Sequence, residues 1–238
     1  NRWQANIVKY DCTKLVAKEW YENAYEMLRV TRLQDQRAVL AADQLRYCEG
    51  TGYYGLNGLK WSPNSRFFYF TNAREGVPEG EGSFGWQRSI FRFDTSTFQT
   101  EYLGGGPFSP DGKKLAVMEY PTEGGCKSGN MVILKLDGDL LGRYPVNVLQ
   151  DSCWTGYIAW SSGSDELFYI ETICNNNHQC KSSLYHIDLV KSERKVVLVG
   201  HQPVFKEVIW DKPDRLTIID ENYKTWFYNI TTAKLEPK

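Results

Sequence analysis

This sequence lacks the features that would mark a nucleic-acid, membrane or zinc protein. Its formal net charge is −1, so it carries no basic footprint for nucleic acid and no acidic tail. No apolar run approaches the ~20 residues a membrane-spanning helix needs, which excludes insertion by that route. It has 3 histidines, and its 6 cysteines form no Cys-x-x-Cys pair, which argues against zinc. Heptad patterns are missing. The chain opens at Asn1-Arg2-Trp3 with neither an initiator methionine nor a signal peptide, and the expectation is a mature or excised product.

What is present is an ordinary soluble balance, 42% hydrophobic and 24% charged over 238 residues, with enough apolar residues for a sizeable core. The 8 Trp, 15 Tyr and 11 Phe fall in or near short runs of Val, Ile, Phe and Tyr. Turn residues punctuate those runs, which is an all-β signature. An even number of cysteines without metal-binding spacing reads as disulfides in an oxidising, extracytoplasmic compartment, secreted or periplasmic.

The repeat is clearest at Gly106-Pro107-Phe108-Ser109-Pro110-Asp111-Gly112-Lys113-Lys114, followed by the apolar run Leu115–Met118. An aromatic residue ends one strand, Ser-Pro-Asp-Gly turns the chain, and a buried strand follows. Aligning the aromatic residue gives Tyr10, Trp61, Phe108, Trp160 and Trp210, spaced by about 50 residues, the period of a four-stranded propeller blade. The second strands Phe67–Phe70, Leu115–Met118 and Leu167–Ile170 are continuous apolar runs, as strands covered on both faces should be. The first unit is the most degenerate: its strands are expected near Ala5–Tyr10, Lys14–Trp20, Glu26–Leu33 and Arg37–Ala42, with Asp11-Cys12-Thr13-Lys14 in place of the turn.

Trp61-Ser-Pro-Asn-Ser-Arg66, Phe108-Ser-Pro-Asp-Gly-Lys-Lys-Leu-Ala116 and Ile158-Ala-Trp-Ser-Ser-Gly-Ser-Asp-Glu-Leu167 resemble the WD40-like repeat of TolB-type propellers. Propellers attached to prolyl oligopeptidase and dipeptidyl peptidase hydrolases carry similar repeats. The resemblance covers units two to five and implies a fold, not an activity. No Gly-x-Ser-x-Gly elbow is present, so the hydrolase partner of those peptidases is not in this chain. The expected fold is one all-β propeller domain over 1–238, of four-stranded antiparallel blades. Five are expected, at about 3–50, 51–104, 105–152, 153–202 and 203–238, with a six-bladed or incomplete array as the alternative.

In such a blade the second-to-third loop and the blade-to-blade connection share one face, the top. Cys174 and Cys180 lie in one such loop, Cys126 in another and Cys153 in a connection, so the bonds Cys174–Cys180 and Cys126–Cys153 are geometrically easy. Cys12 and Cys48 remain and pair only by elimination. Glu19, Glu119, Glu171 and Asp220, with Thr71, sit four residues after the first apolar residue of each second strand. They are candidates for a cation site, with Ca2+ as the candidate ion. Five-fold spacing puts equivalent residues roughly 14 Å apart, beyond a Debye length, so the competing expectation is that each acid is satisfied locally. His178 is a further candidate ligand or a plain loop residue. Asn229-Ile230-Thr231 has the form of a glycosylation sequon, at a strand end where a turn cap is expected.

The long loop 72–88 contains Arg74, Glu75, Phe84 and Trp86, and Tyr120 opens the equivalent loop of the next unit. Aromatic residues beside charges suit a protein contact. A propeller glycosidase needs paired carboxylates on innermost strands, but those strands offer Lys9, Lys60, Lys206 and Glu207 and no recurring acid. The expected function is therefore a non-catalytic extracytoplasmic module that contacts a protein or assembles as a subunit through its top face, without a cofactor. A lectin-like module for sugar or another small ligand is the alternative.

Overall fold

The computed structural model describes residues 2–9, 23–47, 56–72, 89–119, 128–147, 158–175, 177 and 179–238. The chain forms two compact units, Asn1–Gly104 with Leu136–Gly138, and Gly105–Lys135 with Asp139–Lys238. All regular structure among the described residues is strand, arranged as antiparallel sheets of β-propeller blade type.

In the N-terminal unit, β1 (Trp3–Lys9), β2 (Asn23–Arg32) and β3 (Ala38–Tyr47) are neighbours in that order. So are β4 (Leu56–Trp61), β5 (Phe67–Asn72), β6 (Ser89–Asp94) and β7 (Gln99–Gly105). Leu28, Val30, Phe68, Phe70 and Phe93 form a shared core between the two sheets. Each full burial of such a side chain contributes about 1.5–3 kcal/mol.

In the C-terminal unit, β8 (Lys114–Glu119), β9 (Ser128–Lys135) and β10 (Leu140–Asn147) form one sheet. Its innermost position is held by the stretch from Gly105, which pairs with Met118, to Phe108, which bridges to Leu115. β11 (Ile158–Trp160), β12 (Glu166–Cys174), β13 (Cys180–Asp188) and β14 (Glu193–His201) form the next sheet. The last comprises β15 (Phe205–Lys212), β16 (Arg215–Asp220), β17 (Thr225–Asn229) and β18 (Lys234–Pro237). Leu115–Met118 and Leu167–Ile170 are buried on both faces, whereas β16 alternates between buried and half-buried residues.

Two turn devices recur among the blades. At the first-to-second turn, the N–H groups of Ser62, Ser109 and Ser161 donate to the carbonyls of Phe67, Lys114 and Glu166. At the third-to-fourth turn, Thr95, Leu189 and Ile230 donate to the carbonyls of Arg66, Asp165 and Asp214, just before the second strand. Leu33 donates to Arg2 in the same way. Each of those four turns also ends on a left-handed residue: Gln36 (φ 58°), Phe98 (60°), Ser192 (54°) and Ala233 (54°).

These devices correct the reading of the first unit. β1 is a second strand, not a first one, because Arg2 stands where Arg66, Asp165 and Asp214 stand. It pairs directly with β2, from Trp3↔Arg32 to Lys9↔Glu26. The expected strand Lys14–Trp20 therefore has no place between them and falls outside the described residues. The first unit has no Ser-Pro-Asx turn, so nothing in its residues fixed its phase.

Candidate interaction surface

The ends of the second strands were the sequence's candidate cation site, and the backbone register re-sorts them. Trp3, Phe67, Lys114, Glu166 and Arg215 are equivalent, facing Arg32, Asp94, Lys135, Asp188 and Asn229. The fifth residue beyond each is then Val8, Asn72, Glu119, Glu171 and Asp220. Glu19 is not in this set and lies outside the described residues; Thr71 is displaced from it by one position.

The three remaining acids, all in the C-terminal unit, have separate local partners. Glu119 is half-buried, accepts a hydrogen bond from Asn130 Nδ2 at 3.1 Å and pairs with Arg143 at 2.9 Å. Glu171 is fully buried; its Oε1 accepts from Tyr169 Oη at 3.0 Å and from Arg194. The Arg194 guanidinium lies 4.3 Å from the Tyr185 ring centroid. Burial pushes the Glu171 carboxyl above its ordinary range, and Arg194 with the two phenols offsets this only in part. No hydrogen bond reaches its Oε2.

Asp220 is built differently. Its side chain is buried, and it closes the loop Glu221–Lys224 between β16 and β17. Oδ1 accepts from the backbone N–H groups of Asn222 (2.8 Å) and Lys224 (2.9 Å), and Oδ2 accepts from Trp226 Nε1 (2.9 Å). The main chain adds Tyr223 N–H to Asp220 O and Asp220 N–H to Lys224 O, both at 3.0 Å. Burial alone would raise this carboxyl, but the three N–H donors outweigh it and hold the group below its ordinary range.

The closed loop forces Tyr223 into the left-handed region at φ 60° and leaves its side chain 83% exposed. A bulky non-glycine residue rarely adopts that backbone conformation, and such strain concentrates at functional positions. The neighbouring strand is distorted too. In β15 the register jumps between Phe205↔Asp220 and Glu207↔Ile219, leaving Lys206 as the extra residue of a bulge. Bulges re-aim side chains, and here the Lys206 ammonium lies 5.6 Å from the Tyr223 ring centroid.

The connection from β14 to β15 ties this loop down. Glu221 N–H donates to Val204 O at 2.8 Å, and Val204 N–H donates back to Glu221 Oε1 at 3.1 Å. His201 stacks on Phe205 at 4.4 Å and meets the Trp226 edge at 5.2 Å. Gln202 Nε2 donates to Cys180 O at 3.1 Å, and Phe205 N–H donates to Ser182 Oγ at 2.8 Å. The loop edges of the last two sheets are thereby joined. Cys180 is disulfide-bonded, and the register sets it opposite Cys174.

The other candidates, Arg74, Glu75, Phe84, Trp86, Tyr120, Cys12, Cys48, Cys126, Cys153 and His178, lie outside the described residues. Asn229 caps its turn, its Oδ1 accepting from Thr232 N–H at 2.8 Å. Tyr223 escaped the sequence reading. Its one signal was an acid at a strand end, two residues before an Asn-Tyr pair, the composition of a tight Asx-type turn.

No protein-family model and no curated protein matches the sequence. Among solved structures the chain is similar to TolB from Acinetobacter baumannii, at 11% identity and TM-score 0.41, over 99% of this chain and 57% of that one. It is similar to an oligogalacturonate lyase from Vibrio parahaemolyticus, at 10% identity and TM-score 0.45, over 99% and 60%. The β-propeller domain of the Trilobed protease from Pyrococcus furiosus matches at 11% identity and TM-score 0.43, over 91% and 67%. The chain thus spans 57% and 60% of the length of the first two. The likeness to these proteins is one of fold.

Proposed function

We propose that this chain is a non-catalytic propeller module that binds another protein through the loop edge of its last two sheets. The observation that carries the reading is Tyr223: a large aromatic side chain, 83% exposed, held in a strained backbone by a buried carboxylate. Exposed tyrosine on a rigid mount is the pattern of an interface anchor, since little conformational entropy is lost when it is covered. A non-catalytic role is supported by the acids. Both oxygens of Asp220 serve loop closure, Glu119 is paired with Arg143, and Glu171 is buried with Arg194. A general acid or base has to reach a reacting atom; Asp220 and Glu171 are engaged inside the fold, and Glu119 is held by Arg143 at the surface. The disulfide at Cys180 supports an oxidising, extracytoplasmic location.

The test is a photo-crosslinking amino acid placed at position 223 in the producing cells. The control is the same residue at Val190, which is 78% exposed in a third-to-fourth turn. A protein adduct formed at 223 and not at 190 is expected. Identical adduct patterns at the two positions, or none at 223, would rule the reading out.

A further inference from the structure

The loop edge has an uneven hydrogen-bonding inventory. Its acceptors are largely consumed: both oxygens of Asp220 take protein N–H donors, and Glu221 commits Oε1 to Val204. Glu207, next to the bulge, is half-buried and held above its ordinary range by that burial. Its donors are not consumed. Lys181, Lys206 and Lys224 are exposed, and none forms an ion pair with a described residue. At the turn edge of the same unit Lys114, Lys135, Lys191 and Arg215 are paired with Asp165, Asp139, Asp188 and Asp211, while the exposed Lys113, Lys195, Lys212 and Lys234 form no ion pair with a described residue. The loop edge stands apart in having an 83% exposed ring beside its lysine.

Lysine offers three donors and no acceptor. With Lys206 lying by the Tyr223 ring and Lys224 next in the chain, an incoming cation would meet like charge. A carboxylate would meet free ammonium groups, while its aliphatic stem could lie on the exposed ring. We infer that the partner presents an acidic peptide segment, Glu or Asp alternating with apolar residues, that seats on Tyr223 and pairs with Lys206, Lys224 and Lys181. This rests on the protein-contact reading above and specifies its chemistry.

The experiment uses the whole chain and two labelled twelve-residue peptides followed by fluorescence anisotropy. One has the sequence (Glu-Leu-Glu-Pro)3 and the other is its amide isostere (Gln-Leu-Gln-Pro)3. The acidic peptide should bind at least ten-fold more tightly than the isostere. The difference should shrink as salt rises from 0.05 to 0.3 M, because exposed pairs are screened. K206E and K224E should each weaken the acidic peptide about five-fold, and Tyr223→Ser about thirty-fold, the scale of an interface anchor. K234E, at the turn edge, should leave binding unchanged.

Equal affinity for the two peptides, no measurable binding of the acidic one, or equal losses in K206E and K234E would overturn the inference. So would binding of a sulfated polysaccharide by the Lys206 edge with no binding of the acidic peptide. These outcomes differ from failure of the contact reading. A protein crosslinked at position 223 through a segment without acids would end this inference and leave that reading standing.

Discussion

Replacing Asp220 with asparagine tests the construction of the loop edge directly. Asparagine is nearly the same size, so the change isolates hydrogen bonding. With its carbonyl oxygen in the Oδ1 position it keeps the bonds from the Asn222 and Lys224 N–H groups, but each falls from a charged to a neutral acceptor. That costs about 0.5–1 kcal/mol apiece. Its amide nitrogen then faces Trp226 Nε1, donor against donor, where a 2.9 Å bond stood. A half-buried indole N–H without an acceptor adds about 1–2 kcal/mol. The flipped amide is worse, since it keeps one bond and loses two. The total is about 3 kcal/mol, which corresponds to about 10 °C in melting temperature for a unit of this size.

The pH dependence sharpens the test. The Asp220 carboxyl lies below its ordinary value in the folded state. Its contribution to stability is therefore fully present above the ordinary carboxylate value and is lost as the pH falls through the folded value. The gap between wild type and Asp220→Asn should be widest near neutrality and close progressively below about pH 4. Thermal unfolding followed by tryptophan fluorescence between pH 7 and pH 3 reads both. An Asn variant melting within about 2 °C of wild type at neutral pH would refute the argument. So would a gap that stays constant into acid.

Three further outcomes follow from other parts of the fold. Glu171 has the opposite sign to Asp220, being raised by burial, so its contribution falls as the pH climbs through the ordinary carboxylate value towards the folded one. E171Q should cost under about 1 kcal/mol at pH 7, while Arg194→Met, which strands a buried carboxylate, should cost about 3–5 kcal/mol by chemical denaturation. Ala233 and Ser192 hold left-handed backbones at φ 54°, so Ala233→Gly and Ser192→Gly should each raise stability by about 0.5–1 kcal/mol and add when combined. A Cβ on Gly106 would lie 1.8 Å from Ala116 O, whereas one on Gly163 would meet nothing within 4 Å. Gly106→Ala should therefore cost about 3 kcal/mol or prevent folding, and Gly163→Ala should melt like wild type in calorimetry.

The blade pattern was legible wherever the aromatic residue was followed by a short turn, Ser-led after Trp61, Phe108 and Trp160 and Asp-led after Trp210. Trp61, Phe108, Trp160 and Trp210 all stand opposite the second residue of the second strand, namely Phe68, Leu115, Leu167 and Leu216. The count slipped by one at Phe67, an apolar residue where the other blades carry Lys114, Glu166 and Arg215. The structure gives the reason. Phe67 is buried against Gly138 and lies 4.7 and 4.5 Å from the Arg66 and Arg92 guanidinium groups, so this blade, like the first with Trp3, carries an aromatic ring at that position. Tyr10 misled for a different cause, because β1 has the composition of a first strand, and only the Leu33-to-Arg2 bond shows it to be a second one. Asp220 was found from spacing, as a candidate cation ligand or an acid satisfied locally. That it spends its oxygens on its own loop depends on a five-residue closure and a tryptophan six positions on, which no spacing rule reports.

The loop at Asp220 separates mount from tip. Every bond that closes it comes from the Asp220 carboxylate or from the main chain, and the Tyr223 side chain contributes to none of them. The residue at 223 is therefore open to exchange for any side chain that tolerates a left-handed backbone, with Asn and Gly the easiest, at little cost to the fold. The exposed side chain can change at this one position while the scaffold stays constant. The same separation offers a practical grafting point, where a chosen anchor can be displayed in a fixed pose without redesigning the sheet beneath it.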